Sequence, residues 1–318
     1  MTVLVTGGAG FIGSNLVDSL VSEGQQVVVL DNLSTGRESN LDIAIANGAQ
    51  LVKGDVSDQR FVNELVADLK PTAIHHLAAQ VDVRRSVSNP EQDAQTNLFG
   101  TLSVLEAARN HGVQRLVYVS TGGAIYGEAD SYPTAEGAEV RPMSPYGVNK
   151  YAAELHWSLY ARLHGLSTIT LRLANVYGPR QDPLGEGGVV AIFCRELLEG
   201  NRALIFGDGE QTRDFVEVSD VAAACRLAAV SDVVGSFNIG SSSETTVNQL
   251  AAIISEADPD RKLSTEHAPE RDGEVRRSCL DASRASTVLG WKPQIELLDG
   301  LQRTLLWQVE EAAGERRG

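Results

Sequence analysis

Thr2-Val-Leu-Val-Thr-Gly-Gly-Ala-Gly-Phe-Ile-Gly13 runs from a β-branched apolar segment straight into a cluster of glycines. Ile12, Leu16, Val17 and Leu20 then recur at helical spacing, so the stretch predicts strand, tight turn and helix. Glycines at 7, 10 and 13 allow a sharp turn and a close approach to a pyrophosphate, whose charge unpaired N–H groups at the helix start would meet. The spacing Gly-x-x-Gly-x-x-Gly is wider than the usual dinucleotide fingerprint, and alone it is also compatible with a purely structural turn.

The next segments of the chain favour the nucleotide. A second β-rich run, Gln26-Val-Val-Val-Leu30, ends in Asp31, eighteen residues past Gly13. A carboxylate there would accept hydrogen bonds from an adenosine ribose and repel a 2′-phosphate, which points to NAD rather than NADP. Arg37 nearby counts the other way, because a guanidinium can hold such a phosphate. Gly54-Asp55-Val56 closes another apolar stretch and offers a short acid to the adenine amino group. Ala73-Ile-His-His-Leu-Ala-Ala79 leads toward the pyrophosphate and ribose. His75 and His76 are adjacent on a predicted strand and point to opposite faces, so they are expected to be structural, and no metal is expected.

Tyr146 and Lys150 lie one helical turn apart, after Ser144-Pro145 and before Ala152, Ala153 and Leu155. A phenol with an ordinary pKa near 10 is a poor base at neutral pH, but an adjacent ammonium and a cationic nicotinamide favour its phenolate. Tyr146 could then take a proton from an alcohol, with Lys150 lowering its pKa and holding the nicotinamide ribose. A solvent-facing helical pair is the bland alternative, and the nucleotide turn in the same chain argues against it.

These motifs together resemble the extended short-chain dehydrogenase/reductases, and within them the UDP-glucose (UDP-galactose) 4-epimerases. The resemblance spans nearly the whole chain. It rests on residues 6–13, Asp31-Asn-Leu-Ser34, His76-Leu-Ala-Ala79, Asn97 with Gly100-Thr101, Ser144-Pro-Tyr-Gly147, Asn175-Val-Tyr-Gly-Pro179 and Arg213-Asp-Phe215. It implies an α/β fold, a doubly wound parallel (Rossmann) sheet with a smaller C-terminal substrate domain. It also implies an enzyme whose NAD stays bound while hydride leaves carbon 4 of a UDP-hexose and returns to the other face of a 4-keto sugar.

Carried onto this sequence, the resemblance makes Tyr146 and Lys150 catalytic. It assigns the cofactor to Gly7, Gly10, Phe11, Ile12, Gly13, Asp31, Asn32, Asp55, Val56, Leu77, Ala78, Ala79 and Asn97, together with Tyr146 and Lys150. The UDP-sugar falls to Asn175, Val189, Arg213, Arg271, Glu274 and Ser278: Asn175 and the arginines on the diphosphate, Glu274 on the uridine ribose. Ser278 stands where family members carry a gate beside the sugar's carbon 2, and a small residue there is expected to admit UDP-N-acetylhexosamines.

One position departs from the pattern. In Ser120-Thr-Gly-Gly-Ala-Ile-Tyr-Gly127 the place that usually carries a catalytic Ser or Thr is Gly122. Thr121, Ser120 or an ordered water must then relay the proton, with Thr121 the expected choice, or Tyr146 contacts the 4-hydroxyl directly. Gly123 and Ala124 occupy the positions where 4,6-dehydratases need an Asp-Glu pair, and Ala124 stands where decarboxylases carry a glutamate, so epimerisation is the expected reaction. Rival readings are an epimerase of another nucleotide sugar such as UDP-glucuronate, a one-way reductase, or a non-catalytic NAD-binding regulatory protein.

The remaining sequence sets the frame. With 318 residues, 42% of them hydrophobic, the chain can build a sizeable core, and no apolar run reaches a membrane span or reads as a secretory leader. A net charge of −15 argues against nucleic acid or an anionic membrane as partner. Cys194, Cys225 and Cys279 lack the spacing of a zinc site or disulfide framework, and a cytoplasmic setting is expected. Strand–helix alternation to about residue 174 places an NAD-binding domain at 1–176. The substrate domain mainly occupies 177–318, with helices starting near Val189 and Val247 and some segments returning to the first domain. The helical stretches 92–111 and 146–164 are, by the same resemblance, expected to pair across a two-fold axis in a homodimer.

Overall fold

A computed structural model describes residues 2–184, 188–270 and 275–315. In chain order the first ten strands are β1 Thr2–Thr6, β2 Gln26–Asp31, β3 Gln50–Lys53, β4 Ala73–His76, β5 Arg115–Thr121, β6 Ser167–Leu173, β7 Asn175–Tyr177, β8 Arg202–Phe206, β9 Thr212–Arg213 and β10 Phe215–Glu217. Three more complete the set, β11 Gly235–Ile239, β12 Thr245–Thr246 and β13 Ser264–Ala268. The central sheet has seven parallel strands in the order β11-β6-β5-β4-β1-β2-β3, the doubly wound sheet the sequence predicts. The chain reverses its direction of travel across the sheet between β1 and β4. The crevice at the carboxyl ends of those two strands is where such sheets bind nucleotides.

Period-2 alternation sends neighbouring side chains into two separate cores. Val3, Val5, Val27, Val29, Val117 and Val119 pack with Leu16, Val17 and Leu20 of the helix Phe11–Ser22 and with Val221 and Cys225 of the helix Val218–Val230. Leu4, Val28, Leu30, Ile74, Leu116 and Tyr118 pack on the other face against Val62, Val66, Val104, Ala153 and Trp157. Burial on both faces explains why β1 and β2 read as continuous apolar runs, and each large side chain so buried stabilises the fold by roughly 1.5–3 kcal/mol.

The seventh strand comes from far down the chain: β11 pairs with β6, Phe237 opposite Leu171. The sequence reading ends the alternating pattern near residue 174, because Gly235-Ser-Phe-Asn-Ile239 is too short and mixed to announce a strand. A third core gathers Phe193, Cys194 and Leu197 of the helix Val189–Glu199, Leu250 and Ile254 of the helix Val247–Ala257, Leu301 and Leu305 of the helix Leu297–Glu315, and Ala203 and Ile205 of β8, which pairs with β13. β7 and β10 pair in parallel, with Asn175 opposite Phe215. Among the described residues no helix is long and apolar enough to cross a membrane.

The helix Pro145–His164 lies against the sheet on the side of the second core. Ser144 caps it, its Oγ accepting from Gly147 N–H at 3.2 Å, and Pro145 occupies the first turn, where its missing N–H costs nothing. Glu154 of this helix and Arg172 of β6 form a buried ion pair at 2.7 Å, and the same guanidinium donates to the Tyr126 hydroxyl and the Glu136 carbonyl. The helix is thereby fixed in rotation, with Tyr146 and Lys150 turned toward the end of β5.

Candidate active site

The glycine turn is packed as tightly as the chemistry requires. Gly7 has φ +72°, and a Cβ there would fall 2.6 Å from the Ala78 amide nitrogen; a Cβ on Gly13 would fall 2.1 Å from the Gly7 carbonyl oxygen. No side chain caps the first N–H groups of the helix Phe11–Ser22, whereas Asp58, Ser144 and Thr246 cap the helices they precede. Those free donors, the positive end of the helix dipole and the side-chain-free approach fit a pyrophosphate. Phe11 and Ile12 form the first turn of that helix and are partly buried.

At the end of β2, Asp31 is nearly buried. Its Oδ2 accepts from Ala9 N–H at 2.9 Å and its Oδ1 from Leu33 N–H at 2.8 Å, which leaves one acceptor position on each oxygen. Arg37 is turned away into an ion pair with Asp182 at 3.0 Å, so the cation that could have favoured a 2′-phosphate is engaged elsewhere. Asp55 accepts from the Asn32 amide at 2.7 Å and from the Ser57 amide and hydroxyl. Burial pulls its pKa upward, but these hydrogen bonds outweigh it and the carboxyl sits below the usual range, ionised beside the buried Val56.

Leu77, Ala78 and Ala79 leave β4 across the glycine turn, with Leu77 N–H on the Thr6 carbonyl at 3.0 Å and Ala78 N–H on the Thr6 hydroxyl at 3.3 Å. Asn97 lies in a π-helical turn, Gln95–Phe99, and is buried. Its amide grips the backbone of the next loop residue: Oδ1 accepts from Gln80 N–H at 3.0 Å and Nδ2 donates to the Gln80 carbonyl at 2.9 Å. Asn97 thus shapes the loop. His76 is fully buried, bonded to the Thr6 and Thr101 hydroxyls and stacked on Tyr118 and Trp157, while His75 points into the opposite core with both ring nitrogens unpartnered. Among the described residues no cluster of His, Cys, Asp and Glu could hold a metal ion.

Lys150 is buried, its Nζ donating to the Val119 carbonyl at 2.6 Å and lying 4.4 Å from the centre of the Tyr118 ring. Burial pushes the ammonium down to about 7, and Glu154 and Asp93 oppose that shift. Tyr146 lies beside the Thr121 side chain. Burial drives its phenol well above the ordinary value, the Thr121 side chain works the other way, and the Asp93 charge raises it. Thr121, at the end of β5, also accepts from Ala124 N–H at 3.2 Å. Accepting that amide leaves the hydroxyl hydrogen of Thr121 available to the phenolate form of Tyr146. Ser120 is buried with its hydroxyl unpartnered.

A side chain at residue 122 would press on Leu280, since a Cβ would fall 2.5 Å from Leu280 Cδ1. Leu280 is held by its own N–H on Asp214 Oδ2 at 3.1 Å, and Asp214 also accepts from Ser241 and Ser242. Gly123 opens instead onto a shared space: a Cβ there would lie 3.9 Å from both Asn175 Oδ1 and Ser278 Oγ. The structure therefore brings Asn175 and Ser278 together beside the end of β5. Arg213 lies on β9 two residues before β10 and donates to the Thr212 carbonyl at 2.8 Å; Val189 opens its helix, partly buried. Arg271 and Glu274 lie outside the described residues. Sequence reasoning does not single out Leu280, Asp93 or the pair Glu154–Arg172, none of which belongs to a local motif.

Over nearly its whole length the chain is similar to known proteins. A family model described as GDP-mannose 4,6 dehydratase matches residues 4–304. A UDP-glucose 4-epimerase of Mycolicibacterium smegmatis is 46% identical over 309 residues, covering 96% of this chain and 97% of that protein. The crystal structure of a UDP-glucose 4-epimerase with UDP-glucose from Thermotoga maritima superposes with a TM-score of 0.93 at 44% identity, covering 98% of this chain and 100% of that one. That of a Thermus thermophilus UDP-glucose 4-epimerase in complex with NAD gives 0.90 at 40% identity, covering 96% and 98%.

Proposed function

The chain belongs to the NAD-dependent epimerase/dehydratase family of extended short-chain dehydrogenase/reductases, and from that membership we propose that it interconverts UDP-hexoses at carbon 4, UDP-galactose to UDP-glucose, on a retained NAD. The observation that carries this reading is Tyr146 set beside the Thr121 side chain at the end of β5, next to Gly123 and Ala124 rather than a pair of acids. A dehydratase must remove water from the sugar and needs those acids; inverting one carbon does not.

When bound, NAD supplies the hydride acceptor and a positive charge beside the phenol. The pyrophosphate would lie on the uncapped N–H groups behind Gly10 and Gly13, the ribose at Asp31, and the adenine near Asp55, Asn32 and Val56. Leu77, Ala78 and Ala79 would wall the nicotinamide side, with Asn97 acting through the loop it grips. Lys150, fixed by the Val119 carbonyl, would donate to the nicotinamide ribose. Tyr146 takes the proton of the 4-hydroxyl, with Thr121 assisting the phenolate and relaying the proton, and returns it to the same oxygen once the 4-keto sugar has turned and been reduced from its other face. Asn175, Val189, Arg213, Arg271 and Glu274 are assigned to the UDP, so that binding energy sits on the nucleotide while the sugar stays free to rotate.

Gly123 and Ser278 share one space with Asn175, and this favours a second substrate group, the UDP-N-acetylhexosamines, over a pocket closed by a bulky side chain. Phe99, Val148 and Leu155 expose large apolar surfaces on the helical stretches 92–111 and 146–164, which supports a homodimer through those helices. Three buried, unpaired thiols suit a reducing cytoplasm. A division of labour at about residue 176, between cofactor and substrate segments, fits the site as built.

The test is incubation of purified protein with UDP-galactose and no added cofactor, following UDP-glucose by chromatography. Conversion that Tyr146→Phe abolishes is expected. Release of stoichiometric NADH, or no conversion even with NAD supplied, would defeat the proposal.

A further inference from the structure

Asp93 is 1% exposed, at the end of the short helix Pro90–Ala94 and directly before the π-helical turn that carries Asn97. Its carboxylate gathers three side chains from three segments. Oδ1 accepts from Gln80 Nε2 at 2.7 Å and from Asn97 Nδ2 at 3.0 Å; Oδ2 accepts from Asn149 Nδ2 at 2.7 Å. Gln80 belongs to the loop after β4, Asn97 to the π turn, and Asn149 immediately precedes Lys150. All three donors are neutral carboxamides, so the bonds solvate the charge without cancelling it.

The charges that act on the Lys150 ammonium are Glu154 on its own helix and Asp93; the Tyr118 ring of β5 lies 4.4 Å from it, and His76 on β4 feels its charge in turn. His76 is kept neutral, burial and then the charge of Lys150 pushing it down to about 3. Glu154 is spent on Arg172 at 2.7 Å. Of the two carboxylates, only Asp93 has no cation among its hydrogen-bond donors.

We propose that Asp93 is a positioning residue and the buried counter-anion of Lys150, its carboxylate tying the Gln80 loop, the Asn97 turn and the Asn149–Lys150 turn into one frame around the nicotinamide end of the cofactor site. The proposal rests on the assignment of that site to NAD. Replacing the carboxylate by a carboxamide sets an NH2 group against an NH2 group in at least one of the three bonds and removes the charge.

The sign of the effect comes from linkage. Lys150 titrates at about 7 in the folded protein against an ordinary 10.5, so the unfolded chain binds more protons between those values and stability rises with pH across them. Without the Asp93 charge the folded value drops further, and the rise begins at a lower pH, by about one unit. The experiment compares wild type, Asp93→Asn and the double variant Asp93→Asn/Asn149→Asp, which moves the carboxylate to the other end of one hydrogen bond. Thermal midpoints of cofactor-free protein are followed from pH 5.5 to 10, and NAD affinity by tryptophan fluorescence.

Asp93→Asn is expected to begin its rise about one unit lower and to bind NAD about tenfold more weakly; the double variant returns toward wild type in both. An Asp93→Asn protein that folds and keeps the wild-type pH onset and NAD affinity overturns the proposal. If Asp93→Asn does not fold, the double variant decides: an onset at or above the wild-type pH supports the proposal, whereas a lower onset or failure to fold overturns it. A wild type that binds no NAD at all would sink the cofactor assignment, while the pH onset still tests the counter-anion.

Discussion

Leu280 occupies the place that a side chain on residue 122 would need, 2.5 Å from where its Cβ would stand, although the two residues are 158 positions apart. The hydroxyl expected at 122 by resemblance would have to displace Leu280, whereas the neighbouring hydroxyl, Thr121, already stands beside Tyr146. Gly122→Ser is therefore expected to overpack and to destabilise by about 1–3 kcal/mol in urea unfolding. Adding Leu280→Ala should relieve the overpacking, so the double variant loses less than the two single losses combined. Additive losses would mean the two side chains do not compete.

Thr121→Val keeps the volume and removes the hydroxyl. It should lower kcat by about 10²-fold, within the usual range for proton-transfer groups, with little change in KM, and Thr121→Ser should restore most of it. Full turnover by Thr121→Val would leave Tyr146 acting on the sugar unaided.

The space shared by Gly123, Asn175 and Ser278 predicts turnover of UDP-N-acetylglucosamine. Ser278→Tyr should abolish that activity and spare UDP-galactose, since a phenol ring would fill the space the N-acetyl group needs. Parallel assays of both sugars on both proteins check it; equal loss of both would assign Ser278 to general folding instead.

His75 is buried with neither ring nitrogen bonded, and burial, aided by the nearby Arg115 charge, holds it down to about 4. In the unfolded chain it would protonate near 6.5, so the stability it permits is intact above that pH and is lost as pH falls from 6.5 toward 4. His75→Leu should match wild type at pH 7 and exceed it by about 2–3 kcal/mol at pH 4.5. Urea midpoints at the two pH values measure the difference; an equal acid loss in both proteins would place it elsewhere.

The local half of the site is readable because its chemistry is written in short segments. A turn made by Gly7, Gly10 and Gly13, a carboxylate at a strand end, and a Tyr and Lys one turn apart each declare themselves within a few residues, and the parallel sheet is implied by the alternating segments around them. The part that is not readable is held by distant partners. Asp93 meets Asn149 across 56 positions, Arg172 meets Glu154 through packing of a helix on a strand, and Leu280 reaches Gly122 by packing on the distant Ile125 and Tyr126. Arg37 resembles a phosphate ligand in sequence because its ion pair with Asp182 spans two loops. Periodicity reports which face a residue takes, not which residue it meets there.

The return of β11 to the edge of the sheet bears on how the protein is made. Synthesis proceeds from the N-terminus, so β6 waits as an open edge until Gly235–Ile239 has emerged, and the helix Phe11–Ser22 lacks its companion Val218–Val230 for nearly as long. For some sixty residues of elongation between β6 and β11, the growing chain presents an unpaired apolar strand to its surroundings. The nucleotide-binding half cannot finish folding on the ribosome ahead of the rest. A nascent chain halted soon after residue 176 should behave as a client of chaperones, not as a free-standing domain.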